Sequence, residues 1–214
     1  MKTWKFPALA AAFIIALTAC SSKKEEAVSF GQYSEGAYTN SFFNIRVPLP
    51  ETWYVMDDES RIALMKQGSK IVSGDNKNLK ALLDASDMQS MNLLTAYQHP
   101  PGTAVESNPS IIIIAEKIDH MPGIKRGSDY HFHTKKLMEQ SALSVNFPAE
   151  IYETTLSGVS FDVLDIDYNS PQSGNYQKQY CTTLKNYALL VIITYQDDEG
   201  QSRLEDILAG MELG

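Results

Sequence analysis

The chain lacks the sequence motifs that mark common enzyme classes. It contains no Gly-x-Ser-x-Gly nucleophile elbow, no His-Glu-x-x-His zinc motif, no phosphate-binding P-loop and no Gly-x-Gly-x-x-Gly dinucleotide fingerprint. Each absence removes one large class of hydrolase, metalloprotease, nucleotide-binding enzyme or oxidoreductase from consideration. We therefore expect a protein without catalytic activity and without a cofactor.

Basic residues are scarce as well. The 214 residues include 18 Lys and Arg against 26 Asp and Glu, which gives a net charge of −8. An acidic chain repels nucleic acid and anionic lipid surfaces. The sequence shows no basic stripe that would offset this charge, so nucleic acid is not an expected partner.

Long apolar runs are missing, which argues against a membrane-spanning helix. Such a helix needs about 20 apolar residues, and the run at residues 8–19 has only 12. Lys2 and Lys5 precede this run, and Cys20 follows it. A basic start, a short apolar stretch and small residues before a cleavage point are the layout of a secretory signal peptide.

The residues Leu17-Thr18-Ala19-Cys20 resemble the lipobox of bacterial lipoproteins. The resemblance implies that residues 1–19 are removed as a signal peptide and that Cys20 becomes the first mature residue and carries palmitate-type acyl chains. It thus implies a cell-envelope protein held at a membrane by lipid. With Ser21 next, this is the outer membrane of a Gram-negative cell, or otherwise the outer face of the plasma membrane. The alternatives are an ordinary signal peptide that happens to contain Cys20, and a short membrane anchor.

The rest of the chain divides into a tether and one domain. Residues 20–36 are mostly Ser, Lys, Glu and Gly, which predicts a flexible segment after the lipidated cysteine. Residues 37–214 have the length of one domain. If Cys20 is lipidated, Cys181 is the only thiol and no intramolecular disulfide can form. We expect Cys181 to be a small buried hydrophobe.

Two apolar runs predict the centre of a β-sheet. Residues 111–115 and 188–193 are apolar at successive positions, which is typical of strands covered on both faces. Hairpin-short connections between the later strands indicate antiparallel pairing. We predict an α+β fold in which a largely antiparallel sheet of about six or seven strands carries helices on both faces. The helices are predicted at residues 57–68, 75–85, 128–144 and 197–213.

Both ends of this domain resemble the PsbP-like (Mog/PsbP) family. Residues 38–40 and the stretch 43–53, with Pro48, Pro50 and Trp53, are similar to the opening strand pair of that family. A strand, a hairpin at Asn186, an apolar strand and a terminal helix are similar to its ending. The resemblance implies an αβα sandwich and a role in binding other proteins. It supplies no catalytic residue and no partner that can be carried over.

Two small groups of residues are weak candidates for a metal site. His131 and His133 would share one face of a strand, and Asp165 and Asp167 alternate in a predicted strand. Imidazole and carboxylate groups are common metal ligands. However, residues 128–144 favour a helix, in which side chains at i and i+2 diverge. We therefore expect no metal, with polar, solvated side chains as the simpler interpretation.

Tyrosine is plentiful, and its position suggests a recognition surface. Five of the 11 tyrosines lie in the C-terminal strands: Tyr168, Tyr176, Tyr180, Tyr187 and Tyr195. Tyrosine is enriched at interfaces, although it is also a good strand residue. Our leading hypothesis is a lipid-anchored, non-catalytic binding or assembly module for an envelope protein. The alternative is an envelope hydrolase or metal-binding lipoprotein, which requires histidines and carboxylates to converge in a deep pocket.

Overall fold

The computed structural model describes residues 28–141, 143–168 and 174–214. The predicted signal peptide, Cys20 and the first residues of the predicted tether lie outside these ranges. The described residues form two antiparallel sheets and four helices. The helices are α1 (Asp58–Ser73), α2 (Lys77–Asp87), α3 (Gly127–Glu139) and α4 (Asp198–Ala209).

The larger sheet has eight strands, and seven of them run in the order β4-β5-β6-β11-β10-β9-β7, with β8 paired to β9. The central position of β6 and β11 confirms the interpretation of the two apolar runs. Ile113 lies opposite Val191 in their antiparallel register, and both side chains are buried. The strands are β4 (Tyr54–Val55), β5 (Ser90–Tyr97), β6 (Ser110–Lys117), β7 (Val145–Asn146), β8 (Tyr152–Leu156), β9 (Val159–Tyr168), β10 (Asn175–Leu184) and β11 (Tyr187–Tyr195).

The smaller sheet has four strands in the order β1-β2-β3-β12. These are β1 (Gln32–Ser34), β2 (Ala37–Asn40), β3 (Ile45–Pro48) and β12 (Glu212–Leu213). Its buried side chains, with those of α4, cover one face of the larger sheet. Phe43, Val47 and Leu204 belong to one apolar cluster with Ile113 and Val191.

The opposite face of the larger sheet carries the other helices. Helices α1 and α2 lie against β5, and α3 lies against β9 and β10. Met138 of α3 packs on Leu164 and Ile166 of β9. Helices therefore lie on both faces of a largely antiparallel sheet, which confirms the predicted α+β class.

The C-terminus differs from the prediction of a helix through residue 213. Helix α4 ends at Ala209, and residues 212–213 form β12, which pairs with β3. Gly210 favours this break because glycine is a poor helix residue. Arg46 and Glu212 lie opposite each other in the register and form an ion pair at 3.2 Å. The apolar spacing of α4 does not reveal this added pairing, which joins the C-terminus to the smaller sheet. We predicted a single sheet, and the described residues form two.

The helix ends also differ in detail from the predictions. Helix α1 continues past Gly68 to Ser73 because the next turn retains its hydrogen bonds and Gly74 ends it. The N-cap of α2 is Asn76 rather than Asp75, since the Asn76 side chain accepts the N–H of Leu79 at 3.1 Å. Helix α3 begins after Arg126 and ends at Glu139, five residues before the predicted end at 144.

The fold begins earlier than the predicted domain boundary at residue 37. Strand β1 pairs with β2, the Tyr38 hydroxyl donates to the Phe30 carbonyl at 2.8 Å, and the Asn40 amide donates to the Ser29 carbonyl at 2.8 Å. These bonds use backbone groups, which every residue type carries. Polar composition therefore predicts a tether where the backbone is in fact paired.

Candidate functional site

The structure separates the two candidate histidines. His131 is fully buried on the side of α3 that faces the sheet, and its Nε2 lies 3.1 Å from the backbone carbonyl of Asp162. His133 is exposed on the same helix. Burial lowers the pKa of His131, so its ring is neutral near pH 7. The two rings diverge because a helix places residues i and i+2 on different sides.

Asp165 and Asp167 share one face of β9, as their alternation predicts. They alternate with Leu164 and Ile166, which face α3, and so they point to the opposite side of the sheet from His131. The four candidate ligands therefore do not converge. In residues 28–141, 143–168 and 174–214, no group of three or more His, Cys, Asp or Glu side chains could hold a metal ion.

The same face of the sheet carries a group of tyrosines beside these carboxylates. We call it the tyrosine–carboxylate surface, and it lies across β8, β9, β10, β11 and α4. The antiparallel register assembles it: Tyr176 of β10 lies opposite both Asp167 of β9 and Tyr195 of β11. Its members are Tyr152, Asp165, Asp167, Tyr176, Tyr180, Tyr195 and Glu205.

Contacts within the surface hold the rings in fixed positions. The rings of Tyr176 and Tyr195 stack with centroids 5.9 Å apart and an interplanar angle of 27°. The Tyr152 hydroxyl donates to Asp165 Oδ1 at 3.3 Å. Tyr180 and Tyr195 are buried, whereas Tyr152 and Tyr176 keep 38% and 43% of their area exposed. Buried Tyr195 therefore supports Tyr176, and Tyr152 and Tyr176 remain accessible to a partner.

Three hydroxyl groups of this surface have a raised pKa and remain protonated at physiological pH. Burial, assisted by Asp165, raises the pKa of Tyr152 to about 12. Burial, with the Asp165 and Glu205 carboxylates, raises the pKa of Tyr195 to about 12 as well. Burial also raises the pKa of Tyr180. Tyr152, Tyr180 and Tyr195 thus remain neutral donors next to negative charge.

One cation lies beside the three carboxylates. Lys178, opposite Asp165 in the register, has its Nζ 3.9 Å from Glu205 Oε1. Within the described part of the chain, the seven members of the surface and Lys178 together carry three carboxylates and one ammonium, which makes this group net negative. Aromatic faces and carboxylates together attract Lys and Arg side chains through cation–π and ionic contacts. The arrangement suits recognition of a basic protein segment.

The tyrosines that cluster in the C-terminal strands of the sequence form only part of this surface. Tyr176, Tyr180 and Tyr195 belong to it. Tyr168 faces the other way and donates to Gln177 Oε1 at 3.2 Å, and Tyr187 packs edge-on against Phe43 in the core at 5.5 Å. Tyr152 is a member that we missed, because it reaches the surface only through pairing of β8 with β9. The alternation of side chains along β8 would have indicated that Tyr152 lies on the same face as this surface.

Several other polar groups between α3 and the sheet have partners that explain them structurally, whereas Nδ1 of His131 is buried without a hydrogen-bond partner among the described residues. Arg126 Nη2 lies 2.6 Å from Asp162 Oδ1, and the N–H of Ser128 donates to Oδ2 of the same carboxylate at 2.8 Å. Tyr130 donates to buried Glu116 at 2.5 Å. Cys181 is fully buried nearby, and burial raises the pKa of its thiol, which suits the expected role as a small hydrophobe.

Within the described residues, no helix combines the length and the apolar character needed to cross a membrane.

Comparison with known proteins gives no family for the chain. No protein-family model and no curated protein matches it. Similar solved structures include cyanobacterial PsbP (CyanoP) from Synechocystis, which is 12% identical, with 87% of this chain and 98% of that chain covered at a TM-score of 0.47. A PsbP protein is therefore among the structures that this chain is similar to.

Two further similar structures come from other bacteria. LpqN, involved in cell envelope biogenesis of Mycobacterium tuberculosis, is 11% identical, with 79% of this chain and 83% of that chain covered at a TM-score of 0.39. A Pseudomonas aeruginosa protein of unknown function is 13% identical, with 50% and 70% covered at a TM-score of 0.37. At these values none of them transfers a function to this chain.

Proposed function

We propose that this protein is a lipid-anchored component of the bacterial cell envelope and acts as a non-catalytic binding module for another envelope protein. The partner presents a basic segment to the tyrosine–carboxylate surface. The observation that carries this proposal is the stack of Tyr176 on Tyr195 beside Asp165, Asp167 and Glu205, with Tyr176 exposed.

The proposed location at a membrane rests on the N-terminal sequence. Residues 8–19 are apolar but too few to span a bilayer, and Leu17-Thr18-Ala19-Cys20 has the order of a lipobox. A protein with a single acyl chain binds a membrane reversibly, whereas several acyl chains anchor the protein durably. A lipidated Cys20 therefore places the folded body next to the membrane.

The binding role follows from the chemistry of the exposed face. The two half-exposed tyrosines are large and amphipathic. Tyr176 is held by stacking on buried Tyr195 and Tyr152 by a hydrogen bond to Asp165, so little conformational entropy is lost when a partner covers them. The adjacent carboxylates select positive charge. The competing interpretation as a hydrolase or metal protein depended on His131 and His133 meeting Asp165 and Asp167, and these groups lie on opposite sides of the sheet or on an exposed helix face.

Crosslinking in intact envelopes, followed by purification of the protein, tests the binding role. We expect a specific crosslinked partner with the wild-type protein and its loss in Tyr176→Ala. Tyr33→Ala is the matched control, because Tyr33 is similarly exposed but lies on β1 of the smaller sheet. A partner that persists in Tyr176→Ala, or the absence of any wild-type partner, would contradict the proposal.

Fatty-acid labelling tests the proposed lipid anchor independently of the crosslinking experiment. Labelled fatty acid should be incorporated into the wild-type protein and not into Cys20→Ala. Equal label in both proteins would remove the lipid anchor from the account, whatever the crosslinking shows.

A further inference from the structure

The helix-covered face of the larger sheet is left partly open between α1 and the strands. On β6, Ile111 and Ile113 point to the other face and are 0% exposed, whereas Ile112 and Ile114 on this face are only half-buried. The difference arises because α1 lies against β5 and α3 against β9 and β10. A cleft of about 470 Å³ remains above β6, which is within the usual size range of small-molecule sites.

The lining of this cleft is uncharged and combines apolar side chains with a smaller polar part. Among the described residues that form it, none is Asp, Glu, Lys, Arg or His, although 21% of the chain is charged. Its apolar part includes Leu64 and Met65 of α1 and Ile112 of β6. Tyr97 adds a hydroxyl, and burial raises the pKa of that group, which keeps it neutral.

Side-chain amides line the polar part of the cleft, and their positions are fixed by hydrogen bonds. Gln196 accepts the backbone N–H of Asn108 at 3.0 Å and donates to Asn175 Oδ1 at 2.6 Å. Asn108 in turn exchanges two hydrogen bonds with the backbone of His99, at 2.8 and 3.0 Å. Each primary amide has two N–H donors and two acceptor positions. The Ser107 hydroxyl also donates to Gln196 Oε1 at 3.1 Å, which fills the acceptor positions of Gln196. Among the described residues, these contacts leave N–H donors and the second acceptor position of Asn108 for a ligand.

The combination selects a narrow class of ligand. A charged ligand would lose its hydration without gaining a counter-charge, which is costly. A purely apolar ligand would cover the amides and leave their remaining hydrogen bonds unmade. A neutral molecule with many hydroxyl groups and an apolar C–H face satisfies both parts of the lining. We propose that this cleft is a binding site for a neutral saccharide.

Gly68 of α1 offers a test that does not depend on damaging the fold. It lines the cleft, and a Cβ added there would meet no atom within 4 Å. Gly68→Leu therefore places a side chain in the cleft and also removes a glycine from a helix interior, which favours folding. Gly68→Ala gives the same helical gain while filling far less of the cleft, and it is the matched control.

The experiment is an NMR titration of the full-length protein, purified in a detergent without a sugar headgroup. The probes are maltose and N,N′-diacetylchitobiose, with glucose 6-phosphate as the charged comparator. We expect a neutral probe to shift the side-chain amide signals of Asn108, Asn175 and Gln196. Gly68→Leu should weaken this binding by at least about tenfold, as expected from loss of one or two ligand hydrogen bonds, and Gly68→Ala should not.

Three results would overturn the proposal: no shift with either neutral probe, an equal or stronger response to glucose 6-phosphate, and unchanged binding in Gly68→Leu. The cleft lies on the opposite face of the sheet from the tyrosine–carboxylate surface. Failure here would therefore leave the crosslinking result unaffected, and the reverse is also true.

Discussion

The two faces of the larger sheet are covered in different ways. One face packs against a second sheet and α4 through a continuous apolar cluster that includes Phe43, Ile113 and Leu204. The other face carries helices over its outer strands and leaves Ile112 and Ile114 half-buried between them. The comparison suggests that the first face supplies most of the stability, whereas the second tolerates open space.

Each face also exposes a different chemistry away from its apolar core. Beyond the apolar cluster, the first face displays stacked tyrosines beside Asp165 and Asp167. The second face displays neutral amides from Asn175 and Gln196. A single sheet thus presents an acidic aromatic surface on one side and an uncharged cleft on the other, which suits two different kinds of ligand.

The largest expected effect contrasts two neighbouring residues of β6. Ile113→Ala removes a side chain that is 0% exposed on the closed face, and we expect a loss of about 4 kcal/mol in the free energy of unfolding. Ile114→Ala, on the half-buried face, should lower the free energy of unfolding by about 1 kcal/mol, because this substitution removes little buried apolar area. Urea unfolding of both variants measures the difference. Equal losses would show that the two faces are packed alike.

The next effect concerns how α3 is held on its face. Asp162→Asn removes the charge that pairs with Arg126 and accepts the N–H of Ser128, and we expect a loss of about 2 kcal/mol at pH 7. Burial acts to raise the pKa of Asp162, but Arg126 and Ser128 more than offset this and hold the pKa below its ordinary value.

The lowered pKa predicts a specific dependence on pH. The wild-type advantage over Asp162→Asn should be complete above the usual aspartate pKa of about 3.9. It should disappear as the pH falls through the lower pKa of the folded state. Unfolding measured in urea across this acid range provides the test. An advantage that is constant down to the lowest pH would mean that the carboxylate charge does not anchor α3.

The smallest expected effect is an increase in the free energy of unfolding. Gly68→Ala should stabilise the protein by about 0.7 kcal/mol, because glycine is unfavourable in a helix interior and the added Cβ meets no atom. The reference is Gly74→Ala, which should destabilise the protein, since Gly74 has a φ of 50°. Thermal unfolding of the two variants gives the signs. A loss of stability in Gly68→Ala would indicate that the cleft is more tightly closed than the structure shows.

The sequence predicts the elements of this fold better than their arrangement. Runs of isoleucine and valine identify β6 and β11, since strands buried on both faces need apolar residues at every position. The pairing of β12 with β3 could not be predicted, because Glu212 and Leu213 carry no strand pattern and their partners lie far away along the chain. Strand β1 could not be predicted either, because its polar composition carries no strand pattern.

The sequence likewise predicts some residues of the candidate site but not how they are arranged. Clustered tyrosines in the C-terminal strands indicate a surface, but the pattern cannot separate Tyr168 and Tyr187 from Tyr176 and Tyr195, since that depends on register and on what covers each face. The amide cleft gives no sequence signal at all. Asn108, Asn175 and Gln196 come from separate parts of the chain and meet only after the sheet has formed.

The most direct test of the account is to measure partner crosslinking in Tyr176→Ala and Gly68→Leu side by side in intact envelopes. If the tyrosine–carboxylate surface is the protein-binding site and the cleft is separate, Tyr176→Ala should lose the crosslink and Gly68→Leu should retain it at the wild-type level. Retention of the crosslink in Tyr176→Ala would contradict the account.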